Sequence, residues 1–408
     1  MRRREFLAGL VGGAAALALP VAWVRAAVPP GTEPRRLVVI FLRGAIDGLN
    51  VVVPYRDPAY YRGRPTLAIP APGREGGAFD LDGRFGLHPA LEAVLPFWKD
   101  KTLAFVHASG SPDPTRSHFD AQDYMEGGEP GNKKTQDGWM NRLIGALPDR
   151  ISPVKAVNAD IALPRILRGG RPVATVALGS ATPKAAGGDS GQDVFERLYA
   201  GDVALAQAYR EGAAARRRIQ EDFAKEMAAA DGGAVPARNF AGSALELGRL
   251  IHADPEIRLA FLSVGGWDTH VNQGGVAGPM AKKLGALGEG LARLVEGLGN
   301  SYPQTVVALM SEFGRTVREN GSQGTDHGHG NVMWLLGGRV DGGKVWGRWP
   351  GLDDEDLYEA RDLAVTTDFR AVLDAVLRQH LGLAPAQLAT VFPGFAPPAD
   401  AGLTLLRT

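Results

Sequence analysis

The sequence predicts an α/β fold, with a mostly parallel central sheet, helices on both faces and a long mid-chain insertion. Three observations predict it. Apolar runs of strand length recur along the 408 residues without polar alternation, as strands buried on both faces require. Each run closes on a polar turn, and helical spacing of apolar residues follows most of them. No internal repeat accompanies this rhythm.

The first run, Arg36 to Leu42, reads as a strand ending at the turn Arg43-Gly44-Ala45-Ile46-Asp47-Gly48. Residues 56 to 86, rich in Pro and Gly, read as surface loop. His88-Pro89 opens a helix with Leu91, Val94, Leu95 and Trp98 on one face, and Leu103 to His107 is the next strand. The stretch 128–260 is less regular and forms the insertion. It holds a strand at Val173 to Leu178, a Gly/Ser-rich loop at 179–191, a charged helix from Asp202 to Ala230 and a further helix near 240–252. Ile257 to Val264 is a strand, and Leu284, Leu287, Leu291, Leu294 and Leu298 share one face of a helix over 280–298. Thr305 to Met310 and Asn331 to Leu336 are strands, and Thr367 caps a helix over Asp368 to Leu381. Residues 36–400 read as one domain.

The N-terminus carries an address. Arg2, Arg3 and Arg4 precede Glu5, Phe6 and Leu7, an apolar stretch runs from Leu10 to Ala22, and Val24 and Ala26 supply small residues before a cleavage point. That order is a secretory signal over 1–26, with the paired arginines of the twin-arginine route, followed by a linker over 27–35. The expected location is periplasmic or extracellular, with the twin-arginine translocase as partner during export. The apolar stretch is shorter than the roughly 20 residues a membrane span needs, so no stable membrane insertion is expected. Removing four arginines and one glutamate from 45 basic and 45 acidic residues leaves 41 and 44, a net charge of −3. Nucleic acid is therefore not an expected partner. With no cysteine, disulfides, thiol catalysis and thiolate metal sites are excluded, and any metal must be held by oxygen and imidazole.

Ligands of such a sheet gather outside the carboxyl ends of its strands. A site is therefore expected among the residues just beyond each apolar run. Those places hold Asp47, then Thr115-Arg116-Ser117-His118, then Asp268 and His270, then Glu312 and Arg315, while Asp326, His327 and His329 precede the Asn331 strand. In extended backbone, residues two apart share a face. Asp268 with His270, and His327 with His329, can thus each address one ion. His329 reads equally as a loop hydrogen-bonder, and Asp47 as a turn residue. Imidazole with carboxylate suits zinc or manganese, whereas all-oxygen sites suit magnesium or calcium.

The runs from Phe41-Leu42-Arg43-Gly44 to Asp47-Gly48-Leu49, Ser117-His118-Phe119-Asp120, Gly266-Trp267-Asp268-Thr269-His270, Ser311-Glu312-Phe313-Gly314-Arg315-Thr316 and Gly324-Thr325-Asp326-His327-Gly328 together resemble the twin-arginine-exported domain-of-unknown-function family 1501. The resemblance spans about residues 36 to 395. That family is related to the alkaline phosphatase and sulfatase superfamily. The relation implies an alkaline-phosphatase-like sheet with a two-metal site at the strand ends. On that resemblance Asp47 is the first-strand metal aspartate, Asp268 and His270 the Asp/His pair, here two apart rather than four, and Asp326 with His327 the last ligand segment. Glu312 stands where relatives often carry Asp-His, and Phe313 is next to it, so on the resemblance one imidazole is either missing or supplied by His327. The nucleophile would be Ser117, with Thr115 as rival, and Arg315 or Arg116 would grip the substrate's oxygens.

The expected function is metal-dependent hydrolysis of a phosphate or sulfate ester, on a small molecule or a polymer. The alternative is a non-catalytic envelope binding protein on the same fold. A Ser-His-Asp hydrolase is disfavoured, because no Gly-x-Ser-x-Gly elbow occurs in the mature chain.

Overall fold

The unbroken apolar run of the first strand has a direct structural reading. In β1, Arg36–Leu42, Val38, Ile40 and Leu42 enter one apolar layer and Leu37, Val39 and Phe41 the other. A strand with no polar face belongs in the middle of a covered sheet, and β1 lies there. The computed structural model describes residues 34–148, 155–176, 178, 228, 231–398 and 403–407. The predicted signal 1–26, the loop 179–191 and, residue 228 apart, the charged helix 202–230 lie outside the described residues.

The remaining main strands are β2 (Leu103–Gly110), β3 (Ala156–Asn158), β4 (Ala174–Thr175), β5 (Leu259–Gly265), β6 (Thr305–Met310), β7 (Asn331–Gly337) and β8 (Lys344–Trp346). Their order is β8-β2-β7-β6-β1-β5-β3-β4, and two-residue strands at Val235–Pro236 and Thr367–Asp368 pair with β5 and β2. All neighbours along this path are parallel except at β7, which runs antiparallel to both β6 and β2. One reversed strand has a functional consequence. The segment before β7 emerges at the same edge as the segments after β1, β2, β5 and β6.

Helices α1 (His118–Gly127), α2 (Trp139–Ala146), α3 (Phe240–Ala253), α4 (Pro279–Leu298), α5 (Phe369–Leu381) and α6 (Pro385–Val391) cover the sheet. Helices α3 and α4 pack in one layer, and α2, α5 and α6 in the other. The five leucines of α4 predicted to share a face are all fully buried. Burial of this kind is worth about 1.5–3 kcal/mol per side chain.

Three expectations need correction. Residues 56–86 are not merely surface loop: Pro58–Gly63 is a helix, Val52–Val53, Phe79–Asp80 and Gly86–Leu87 form a small antiparallel sheet, and Tyr60, Arg64, Leu67 and Ile69 are buried. The Val173 strand shortens to Ala174–Thr175. The cap of α5 is Asp368 rather than Thr367, since its carboxylate accepts the Arg370 amide at 2.8 Å. Among the described residues, no helix is long and apolar enough to cross a membrane.

Candidate metal centre

Five segments meet at this edge. Ser117 caps α1 and so fixes His118 as its first residue. β5 ends in the turn carrying Asp268 and His270, and β6 runs into Glu312 and Arg315. The segment before β7 brings Asp326 and His327, the latter in an isolated bridge with Arg315. The close approach of these turns depends on glycines, Gly44 and Gly324 among them. Gly44 has φ +104°, and a Cβ there would lie 2.6 Å from the Asp268 amide. At Gly324 a Cβ would lie 2.3 Å from the His270 carbonyl.

Three imidazoles converge through their Nε2 atoms. His327 Nε2 lies 2.9 Å from His118 Nε2 and 2.9 Å from His270 Nε2. Each ring is held from behind. His118 Nδ1 is 2.8 Å from Glu312 Oε1, His270 Nδ1 is 3.2 Å from Asp326 Oδ1, and His327 Nδ1 is 2.8 Å from the Arg116 carbonyl. Carboxylate and carbonyl oxygens only accept, so each Nδ1 carries the proton and each Nε2 turns a lone pair inward. Lone pairs this close need a proton or a cation between them. Asp268 joins the group, with Oδ1 3.0 Å from His270 Nε2 and 3.7 Å from His327 Nε2, and Oδ2 3.7 Å from His118 Nε2.

The electrostatics fit a cation. The carboxylates of Glu126, Glu312 and Asp268 are buried at and behind the cluster, with the guanidiniums of Arg43 and Arg315 paired to two of them. Asp268 Oδ2 is buried without a hydrogen-bond partner, a costly arrangement for a charged oxygen. Burial pushes the Asp268 carboxyl up, but the neighbouring imidazoles of His270 and His327 and the charge of Arg315 hold it well below the usual carboxylate range. For Glu312, burial is likewise outweighed, by His118 and Gln122, and its carboxyl is held down to about 2. Burial lowers His327, whereas Asp268 overcomes burial at His270 and raises it. Asp326 is lowered, its burial outweighed by Asn320 and His270. Among the described residues, His118, Asp268 and His327 each offer an atom within 4.8 Å of the others. Nitrogen-rich donors backed by carboxylates at Nδ1 suit zinc or a similar ion better than magnesium or calcium.

Other predicted site residues stand elsewhere. Asp47 does not join the imidazoles: its oxygens accept from buried Arg64 at 2.6 and 3.0 Å and from Gln273 at 2.6 Å. Glu312 supports His118 from behind, and its Oε1 also accepts from the Gly44 amide at 2.7 Å and Gln122 at 3.0 Å. His329 turns away, its Nε2 reaching the Ser111 carbonyl at 3.0 Å, so the two-residue spacing from His327 does not produce a shared face in this irregular loop. Arg315 is buried and donates inward, to the carbonyls of Ala45, Gly44 and Thr325 and to Asp268, a clasp rather than a free grip. Arg116 binds Asp362 and Glu359. Ser117 is exposed, and its hydroxyl accepts the Asp120 amide at 3.5 Å. Thr115 Oγ1 accepts the Ser117 amide at 3.3 Å.

The reading from sequence named the loop of His118 but missed its role, and missed the support behind it. Arg43 donates to Gln122 at 2.5 Å and to Glu126 at 2.6 Å. The four-residue spacing of His118, Gln122 and Glu126 along one helix face was the available signal.

Fold and site together define an α/β protein with a cluster of metal-ligand chemistry at the strand ends. The family described as "Protein of unknown function (DUF1501)" matches residues 98–392, and the chain belongs to it. No curated protein matches. Among solved structures, the chain is similar to the C-terminal periplasmic domain of EcEptC from Escherichia coli, at 12% identity and TM-score 0.42 over 90% of this chain and 89% of that one. The same domain in complex with Zn gives 12% identity and TM-score 0.37 over 75% and 73%. A protein in the alkaline phosphatase superfamily from Vibrio parahaemolyticus gives 9% identity and TM-score 0.37 over 77% and 62%.

Proposed function

We propose that this chain is an exported hydrolase of phosphate or sulfate esters that depends on a divalent metal, zinc being the best match to its donors. The observation that carries the reading is the convergence of His118, His270 and His327 with the unpartnered oxygen of Asp268. His118, His327 and Asp268 would hold the ion, with His270 beside them. A bound divalent ion supplies Lewis-acid polarisation of an ester oxygen. Glu312, Asp326 and the Arg116 carbonyl keep the imidazole rings turned inward. Ser117 is the preferred nucleophile: its exposed hydroxyl, one residue from His118, accepts only a long bond and is free to lose its proton on attack. The Arg3-Arg4-Glu5-Phe6-Leu7 run supports export by the twin-arginine translocase.

A second reading, a metal-holding binding protein without turnover, is favoured by Arg315, whose guanidinium is occupied by the protein's own carbonyls. One experiment separates the two. Mature protein stripped with chelator and reloaded is expected to retain about one zinc per chain, from the one donor cluster among the described residues, and His327→Ala to retain none. Turnover of aryl phosphates or sulfates that Ser117→Ala abolishes without metal loss supports the hydrolase. Zinc retention with no turnover supports the binding protein, and absence of metal sinks both.

A further inference from the structure

Asp47 lies at the end of β1 in step with the site residues, yet it touches none of them. Its contacts lead somewhere specific. Gln273 Nε2 donates to Asp47 Oδ2 at 2.6 Å, while Gln273 Oε1 accepts from Thr269 Oγ1 at 2.8 Å and from Thr325 Oγ1 at 2.7 Å. Thr269 sits between Asp268 and His270, and Thr325 immediately precedes Asp326 and His327. Asp47, Arg64, Gln273 and Thr325 are fully buried and Thr269 is 5% exposed, so bulk water does not compete for these bonds.

We infer that Gln273 is a positioning residue for the metal centre: its side-chain amide staples the Asp268–His270 turn to the Asp326–His327 turn, and Asp47 sets which way that amide faces.

The polarity comes from donor and acceptor chemistry. A carboxylate accepts only, so the amide must present its NH2 to Asp47 and its oxygen to the two hydroxyls, which both donate. Arg64 fixes the carboxylate through two bonds, and donates further to the carbonyls of Thr316 and Val317. The order thus runs from Arg64 through Asp47 and Gln273 to both threonines, each adjacent to residues of the cluster. Backbone bonds also join the two turns, Thr325 amide to Thr269 carbonyl at 3.1 Å and Gln273 amide to Gln323 carbonyl at 2.9 Å. Arg315, which donates to Asp268 and to the Thr325 carbonyl, and Asn320, whose Nδ2 reaches the His270 carbonyl and Asp326 Oδ1 at 2.9 Å, join them as well; Gln273 is the link that ties both turns to Asp47. The staple rests on the metal reading of the site, and the experiment separates the two.

The zinc dissociation constant of the mature protein is measured by chelator competition for wild type, Gln273→Leu, Thr325→Val and Thr325→Ser. The visible spectrum of the cobalt-substituted proteins and hydrogen exchange at residues 268–270 and 325–327 of the metal-free proteins are read alongside. Gln273→Leu and Thr325→Val are each expected to weaken zinc about 10- to 100-fold, the range typical of groups that orient ligands. They should also alter the cobalt spectrum and speed exchange at both turns. Thr325→Ser, which keeps the hydroxyl, is expected to retain wild-type affinity. Wild-type affinity, spectrum and exchange in Gln273→Leu, whatever its thermal midpoint, overturn the inference. If Gln273→Leu does not fold, equal affinities of Thr325→Val and Thr325→Ser overturn it instead. If wild type binds no zinc, the functional reading fails and the exchange comparison alone decides the staple.

Discussion

Asp160 is buried behind the centre, where the Ser263 amide and hydroxyl donate to it at 2.8 and 2.6 Å. Burial pushes its carboxyl up to about 6, against the opposing pull of Ser263 and Arg43. A carboxyl raised on folding keeps a proton that the unfolded chain has already lost. Stability therefore falls as pH rises from about 4 to about 6, and the whole loss is present above that window. An asparagine can still accept the Ser263 amide while its NH2 donates to the hydroxyl. In metal-free protein, Asp160→Asn is expected to show a smaller drop in urea midpoint between pH 4 and pH 7 than wild type. Equal drops in the two proteins would show that Asp160 is not the group responsible. At this scale part of the site is legible in sequence: Asp268, His270 and His327 stand beside strand ends, and the fold brings them together. Asp47 also follows a strand, but its partner Arg64 lies in a stretch whose Pro and Gly content masks its burial. Ion pairing between a turn and a distant loop leaves no periodic trace in sequence.

Turns, more than strands, decide whether the centre assembles. Gly44 combines φ +104° with a backbone contact that a side chain would violate, since its Cβ would approach the Asp268 amide to 2.6 Å. Gly382, after α5, offers a control with φ +75° and open space around its Cβ. Alanine at a positive-φ glycine costs about 1 kcal/mol or more through the backbone alone. Gly44→Ala should therefore destabilise more than Gly382→Ala in urea titration, and only Gly44→Ala should also weaken zinc binding. Strands β1, β2, β5, β6 and β7 could be read because each is an apolar run buried on both faces. β3, of three residues, is too short to carry a pattern, and β4 is legible only as part of the longer apolar run at Val173 to Leu178. The reversed direction of β7 was also hidden, because a run of apolar residues reads the same from either end.

For the molecule as a whole, the proposal of export concerns the chain as one folded object. The arginine pair of a twin-arginine signal is read as two guanidiniums, and lysine is a poor replacement where planar donors matter. Joint Arg3→Lys and Arg4→Lys substitution is expected to leave the precursor in the cytoplasmic fraction, and continued export of that variant would point to another route. The reversal of β7 has one more consequence. Strands β6 and β7 are adjacent, and the whole path from Glu312 to His327 is a single excursion between them. Clasp, ring support and donor therefore travel together as one cassette. Transplanting that cassette into a related scaffold would alter the chemistry of the cleft without rethreading a single strand of the sheet.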